Sequence, residues 1–249
     1  MSMTATEVSP LSPDDRDAIL EAVRDFAQSE IAPHALEWDE KKHFPRDVIE
    51  RGGELGLGGL YIREDVGGSG LSRADSVLIV EELAKADPAI AAYLTIHNMV
   101  AWMIDTYGSE EQRHAWLPRL VSMDALGSYC LTEPGAGSDA AAITTSAIRD
   151  GDEFVLTGVK QFISGGGEAS VYIVMARTGE PGARGISAFL VEDGSRGLSF
   201  GANEKKMGWN AQPTRQVFFD DVRVPVSNRL GEEGDGFGIA MKGLNGGRV

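Results

Sequence analysis

The sequence predicts an α+β chain. An all-α helical part covers residues 1–125, an antiparallel β-sandwich or barrel covers 126–230, and 231–249 begin a further helix. Three observations predict this. Apolar residues recur at helical spacing up to about residue 125, in segments opened by capping residues. From Leu126 the texture changes to short β-branched runs separated by Gly, Pro and Asp-Gly. From Gly234 the pattern turns helical again.

Ser12-Pro13-Asp14-Asp15 supplies a cap, a proline for the first turn and acids for the positive helix end. Ile19, Val23, Ala27 and Ile31 follow at intervals of four, widened by Leu20 and Phe26, with Pro33 ending or kinking the helix. Phe44-Pro45-Arg46-Asp47 opens a second helix to about Leu55, and Gly56–Gly70 is a glycine-rich connection. Ser72–Ala86 is a third helix, Asp87-Pro88 opens a fourth through Tyr107, and Ser109-Glu110-Glu111-Gln112 caps a fifth ending near Val121. Beyond Leu126, Ile143–Ile148 and Phe154–Val159 flank Asp150-Gly151, a hairpin signal because both residues tolerate positive φ. Val171–Ala176, Ile186–Val191 and Arg215–Val224 continue the strands.

Composition bounds the function. With 249 residues, 42% hydrophobic and 24% charged, the chain has ample material for a core. A net charge of −15 argues against nucleic acid or an anionic membrane surface, both of which need clustered Lys and Arg. The lone Cys130 excludes an internal disulfide framework, fits a reducing compartment and reads as a buried, inert thiol. No apolar run approaches the roughly 20 residues of a membrane span. Residues 1–10 show neither a signal core nor an Arg-rich transit pattern, so the expectation is a cytoplasmic protein.

The most informative stretch is Tyr129–Asp139, YCLTEPGAGSD. A strand-like run opens into hydroxyls, free amides and small residues, which suits a backbone that must approach a polar, phosphorylated ligand. Lys160-Gln161-Phe162-Ile163-Ser164-Gly165 repeats the design about one hairpin later. A plain surface turn is the competing reading of the glycines. Gly135–Ala140 also matches G-x-G-x-x-A, but a dinucleotide fingerprint needs an immediate helix inside a βαβ unit, and Ile143-Thr144-Thr145 leads into a hairpin. Gly197-Leu198-Ser199-Phe200-Gly201 matches a nucleophile elbow, yet all four histidines lie upstream and the flanks read as strand and loop. Those histidines show no metal-ligand spacing.

Together the two motifs resemble the flavin-binding signature of the acyl-CoA dehydrogenases. Gly208-Trp209-Asn210, Thr214–Pro225 and Gly234-Asp235-Gly236-Phe237 extend the resemblance in order along the chain. The resemblance implies FAD held by Tyr129, Leu131, Thr132, Gly137, Ser138, Phe162, Ile163 and Ser164. Thr132 would face the polar edge of the isoalloxazine, Gly137-Ser138 the pyrophosphate, and Phe162-Ile163-Ser164 the rest of the ring. It also implies acyl-CoA contacts from Ser138, Asn245 and Arg248, electron transfer to an electron-transfer flavoprotein, and a homotetramer. The 204–210 and 243–248 runs look most like the short branched-chain members, in fatty-acid or branched-chain amino-acid breakdown, with straight short-chain or 2-methylbutyryl substrates as the alternatives. Tyr93 and Trp102 are candidates for shortening the acyl pocket, or else for core packing.

The implied reaction removes a proton α to the thioester while hydride leaves the β-carbon. The family's base lies mostly in a C-terminal helical bundle, and in a subgroup at a position that here is Gly247, so no catalytic residue is assigned in this chain. The expectation is therefore about two thirds of such an enzyme, with weak FAD binding and an exposed apolar face. An oxidase relative and a catalytically incompetent flavin- or acyl-CoA-binding module are the alternatives.

Overall fold

The computed structural model describes residues 11–246. In α1 (Pro13–Phe26) the Ser12 side chain accepts the Asp15 amide, and Pro13 opens the first turn. A π-helical turn at Ala27–Ile31 continues the helix and keeps Val23, Ala27 and Ile31 on one buried face. Next comes α2 (Ala35–Lys41), which the sequence pattern does not reveal. It is seven residues long and buries only Trp38, too little to set a period. The expected second helix is α3 (Arg46–Gly53). Ser72 caps α4 (Arg73–Ala86), and Asp87 accepts the Ala89 and Ile90 amides at the start of α5 (Pro88–Tyr107). A reciprocal Ser109–Gln112 capping box opens α6 (Glu110–Val121).

The β part comprises β1 (Gly127–Cys130), β2 (Ser146–Asp150), β3 (Glu153–Ser164), β4 (Val171–Arg177), β5 (Ile186–Glu192), β6 (Leu198–Phe200), β7 (Thr214–Pro225) and β8 (Arg229–Leu230). The sheet order is β6-β7-β3-β2-β4-β5-β8, with β1 alongside β4. Most ladders are antiparallel as expected, but β1 runs parallel to β4, and β2 meets β4 in parallel at Ser146 and Arg177. The sheet is thus mixed. The β2–β3 hairpin turns at Gly151-Asp152, with Gly151 at φ +65°. The β6 and β8 strands, three and two residues long, are too short to show alternation in sequence.

One irregularity positions the site. Lys160 pairs with Val217 and Ile163 with Arg215, so β3 takes three steps where β7 takes two. The extra residue is a bulge that holds Phe162 at φ +59° and leaves the residue 58% exposed.

The helical and β parts share a core. Met99 and Ile104 of α5 and Leu117 of α6 pack in one buried cluster with Ile173 of β4, Leu190 of β5 and Ile239 of α7 (Gly236–Gly246). Full burial of such side chains contributes about 1.5–3 kcal/mol each. That packing lays α5 and α7 over the sheet beside β1. Among the described residues no helix is long and apolar enough to cross a membrane.

Candidate functional site

Where β1 ends, the chain turns sharply. The amide of Glu133 donates to Ala136 O at 2.9 Å and the amide of Ala136 returns to Glu133 O at 3.1 Å, closing a tight turn over Pro134-Gly135. The Gln161 amide donates to Thr132 O at 2.8 Å, which fastens the turn to the bulge of β3. A cleft of about 430 Å³ opens between them.

All eight residues predicted to hold the cofactor line this one cleft: Tyr129, Leu131, Thr132, Gly137, Ser138, Phe162, Ile163 and Ser164. Its apolar wall, Ile96 of α5 with Phe237, Met241 and Leu244 of α7, is not foreseen in the sequence reading. The spacing of four and three between the last three was a usable signal, since it places them on one helix face. Ser138, predicted to touch substrate, is in the cleft. Asn245 is exposed on α7 and does not line it. Arg248 and Gly247 lie outside the described residues.

Beneath the cleft is a buried ion pair that the sequence reading did not single out. Lys160 Nζ donates to Glu133 Oε1 at 2.8 Å and to Leu131 O at 3.0 Å. The same carboxylate accepts the Thr144 amide at 2.6 Å, the Thr144 hydroxyl at 2.9 Å and the Thr145 amide at 2.9 Å. Burial favours the neutral acid, but the Lys160 ammonium and these donors outweigh it and hold Glu133 down to about 2. Burial pulls the Lys160 ammonium below its ordinary value, and the Glu133 carboxylate opposes that pull. No local pattern marks this pair, because its members are far apart in sequence.

Several features fit a bound flavin nucleotide. The Tyr129 hydroxyl is buried at the cleft with no hydrogen-bond partner among the described residues. The amides of Thr132, Gly137 and Ser138 have no backbone acceptor among them. A Cβ built on Gly135 or Gly137 meets nothing within 4 Å, so the space beside this backbone is open rather than filled by protein. Orphan donors, hydroxyls and an apolar wall suit a ligand with a phosphate chain and a flat ring.

The competing motifs behave as ordinary structure. A short 3-10 turn at Ala140–Ala142 follows the glycines instead of the α-helix of a dinucleotide fold. Ser199 sits within β6. No group of three or more potential ligands could hold a metal ion among the described residues. Tyr93 is fully buried, edge-on to Phe44, and so belongs to the core. Trp102 is half-buried and lies near the Arg73 guanidinium, which stacks 3.4 Å from the Tyr61 ring centroid beside a small cavity lined by Leu60, Leu94 and Asn98.

Comparison with known proteins agrees with this geometry. The profile described as "Acyl-CoA dehydrogenase, N-terminal domain" matches residues 13–124, and the one described as "Acyl-CoA dehydrogenase, middle domain" matches residues 128–222.

The chain belongs to the acyl-CoA dehydrogenase family.

It is 58% identical over 224 residues to the bovine (Bos taurus) protein named isobutyryl-CoA dehydrogenase, mitochondrial, covering 90% of this chain and 54% of that protein. It superposes with TM-score 0.91 and 39% identity on a chain of the structure described as the electron transferring flavoprotein of Acidaminococcus fermentans, covering 100% of this chain and 64% of that one. A glutaryl-CoA dehydrogenase from Mycobacterium smegmatis in complex with FADH2 gives TM-score 0.88 and 32% identity, over 96% of this chain and 60% of that one. The chain thus spans about half the length of the bovine relative.

Proposed function

We propose that this member of the acyl-CoA dehydrogenase family holds FAD in the cleft and takes part in the α,β-dehydrogenation of a short, branched acyl-CoA. The observation that carries the reading is the convergence of two distant motifs, 129–138 and 162–164, on one cleft with orphan donors on one side and an apolar wall on the other. The FADH2 complex of the mycobacterial relative supports the choice of cofactor, and the name of the bovine relative supports a branched acyl group.

FAD, when bound, supplies a two-electron acceptor. The chain's own residues bind and orient it. The Thr132 amide and hydroxyl would hold the polar edge of the ring, Gly137 and Ser138 would hold the pyrophosphate, and Phe162-Ile163-Ser164 would cover the rest of the ring. Fixed donors at the polar edge favour the electron-rich reduced form. The substrate loses a proton at the α-carbon and hydride at the β-carbon, leaving the 2,3-enoyl thioester. The cleft lining among the described residues carries one carboxylate, Asp139, at its exposed rim, and we assign the base to no residue of this chain.

An electron-transfer flavoprotein as electron acceptor, supported by the description of the Acidaminococcus structure, belongs to the same proposal, as does a homotetramer. So does placement in the cytoplasm; the single buried thiol fits a reducing compartment, and the bovine relative carries "mitochondrial" in its name. The test is an anaerobic visible spectrum of the protein with FAD, before and after isobutyryl-CoA. Bleaching of the flavin band supports the dehydrogenase. A bound flavin that stays oxidised favours a binding module, and a chain that takes up no flavin sinks the reading.

A further inference from the structure

We propose that Lys160 is a positioning residue for the flavin: from behind the cleft its ammonium polarises the Leu131–Thr132 peptide and strengthens the Thr132 N–H as a donor toward the ring. The inference rests on the flavin reading above and assigns a role to a group that does not touch the cleft.

The geometry has three parts. The Lys160 ammonium donates to the Leu131 carbonyl at 3.0 Å, on the buried side of the chain. The peptide joining Leu131 to Thr132 is planar and trans, so the Thr132 N–H points opposite to that carbonyl, away from the ammonium. Leu131 and Thr132 both line the cleft, and the Thr132 amide has no backbone acceptor among the described residues. A cation bound to a carbonyl draws electron density from the attached nitrogen, so the N–H of the same peptide becomes the stronger donor.

The surroundings keep this effect from being screened. Lys160 is 0% exposed and Glu133 5%, and in such a site charges act at low effective dielectric. Glu133 shares its charge between the Lys160 ammonium at 2.8 Å and the Thr144 and Thr145 donors, and the ammonium is the group bonded to the Leu131 carbonyl. A pair that served only as a clamp would hold the fold but leave the donor strength of Thr132 unchanged. As a clamp it is also poor, since apolar residues of similar volume often stabilise as well.

The test is the double substitution Lys160→Gln with Glu133→Gln, which removes both charges together and leaves side chains able to hydrogen-bond. The reduced-to-oxidised affinity ratio for FAD is read against a reference dye, with Phe154→Leu as a control that loosens the core away from the cleft. The expected result is about a tenfold fall in that ratio, about 30 mV toward lower potential on the two-electron couple, with the control unmoved. Flavin that binds the double variant at unchanged potential overturns the inference and leaves the flavin reading standing. Unmodified protein that binds no FAD removes the reading itself. Should the double variant not fold, NMR of the unmodified, flavin-free protein decides. A scalar coupling across the hydrogen bond from Lys160 Nζ to the Leu131 carbonyl carbon, with a downfield Thr132 amide proton, supports the inference, and absence of the coupling overturns it.

Discussion

His97 Nδ1 accepts the Gly127 amide at 3.2 Å, although His97 is a helical residue and Gly127 begins a strand. With Nδ1 an acceptor, Nε2 carries the proton and donates to Leu120 O at 2.9 Å. One neutral ring therefore joins α5, α6 and β1 at the seam between the helical and β parts.

Acid sensitivity follows from that ring. Burial pushes the His97 imidazolium down to about 4 from 6.5. A group with a lowered folded-state pKa contributes stability that is full above its unfolded value. That stability is lost as pH falls from 6.5 through about 4. The loss is on the order of 3 kcal/mol. Urea unfolding at pH 7 and pH 4.5 should show most of it, and His97→Gln should flatten the difference. Glu133, held near 2, adds its own loss in the lower window between 4.5 and about 2.

Cys130 should be silent to thiol reagents. It is fully buried, and burial pushes its thiol up to about 12. At pH 8 roughly one molecule in ten thousand would carry the thiolate. Labelling by a disulfide reagent should proceed only at the rate of unfolding. Rapid labelling of folded protein would show the burial to be wrong.

Two glycines should tolerate alanine unequally. A Cβ on Gly127 lies 2.6 Å from Val100 Cγ1 and 3.0 Å from Val100 Cβ, a stiff β-branched neighbour. A Cβ on Gly243 instead meets the flexible tip of Met103. Overpacking costs about 1–3 kcal/mol. Gly127→Ala belongs at the upper end of that range and Gly243→Ala at the lower, by thermal unfolding. Equal costs would mean that α5 gives way as readily as a methionine methyl.

Loss of cleft donors should weaken flavin binding without unfolding the protein. Thr132→Val and Ser164→Ala each remove one hydroxyl from a half-buried position in the cleft. A lost hydrogen bond of about 1 kcal/mol corresponds to roughly a fivefold weaker Kd. Quenching of FAD fluorescence on titration measures it. Unchanged affinity in both variants would remove these hydroxyls from the binding surface.

Local chemistry was legible in the sequence. Caps at Ser12, Asp87 and Ser109, the hairpin turn at Gly151 and the turn after Leu131 all depend on residues within a few positions of one another. Hydrogen-bonding side chains and permissive backbones act at that range, so sequence alone marks them. The eight cleft residues came instead from the resemblance of two motifs, each continuous in sequence, to a known family, and the structure brings the two motifs to one cleft. Helix α2 and the β6 and β8 strands were not legible, being too short for a period to emerge.

Tertiary structure alone decided the rest. It set β1 parallel to β4, inserted the extra residue that turns Phe162 outward, and brought Ile96, Phe237, Met241 and Leu244 to the far wall of the cleft. It also buried Lys160 against Glu133 and the Leu131 carbonyl. Burying such a charge is favourable only when its partners arrive together. No stretch of this sequence holds all of those partners, so only the folded sheet could assemble them.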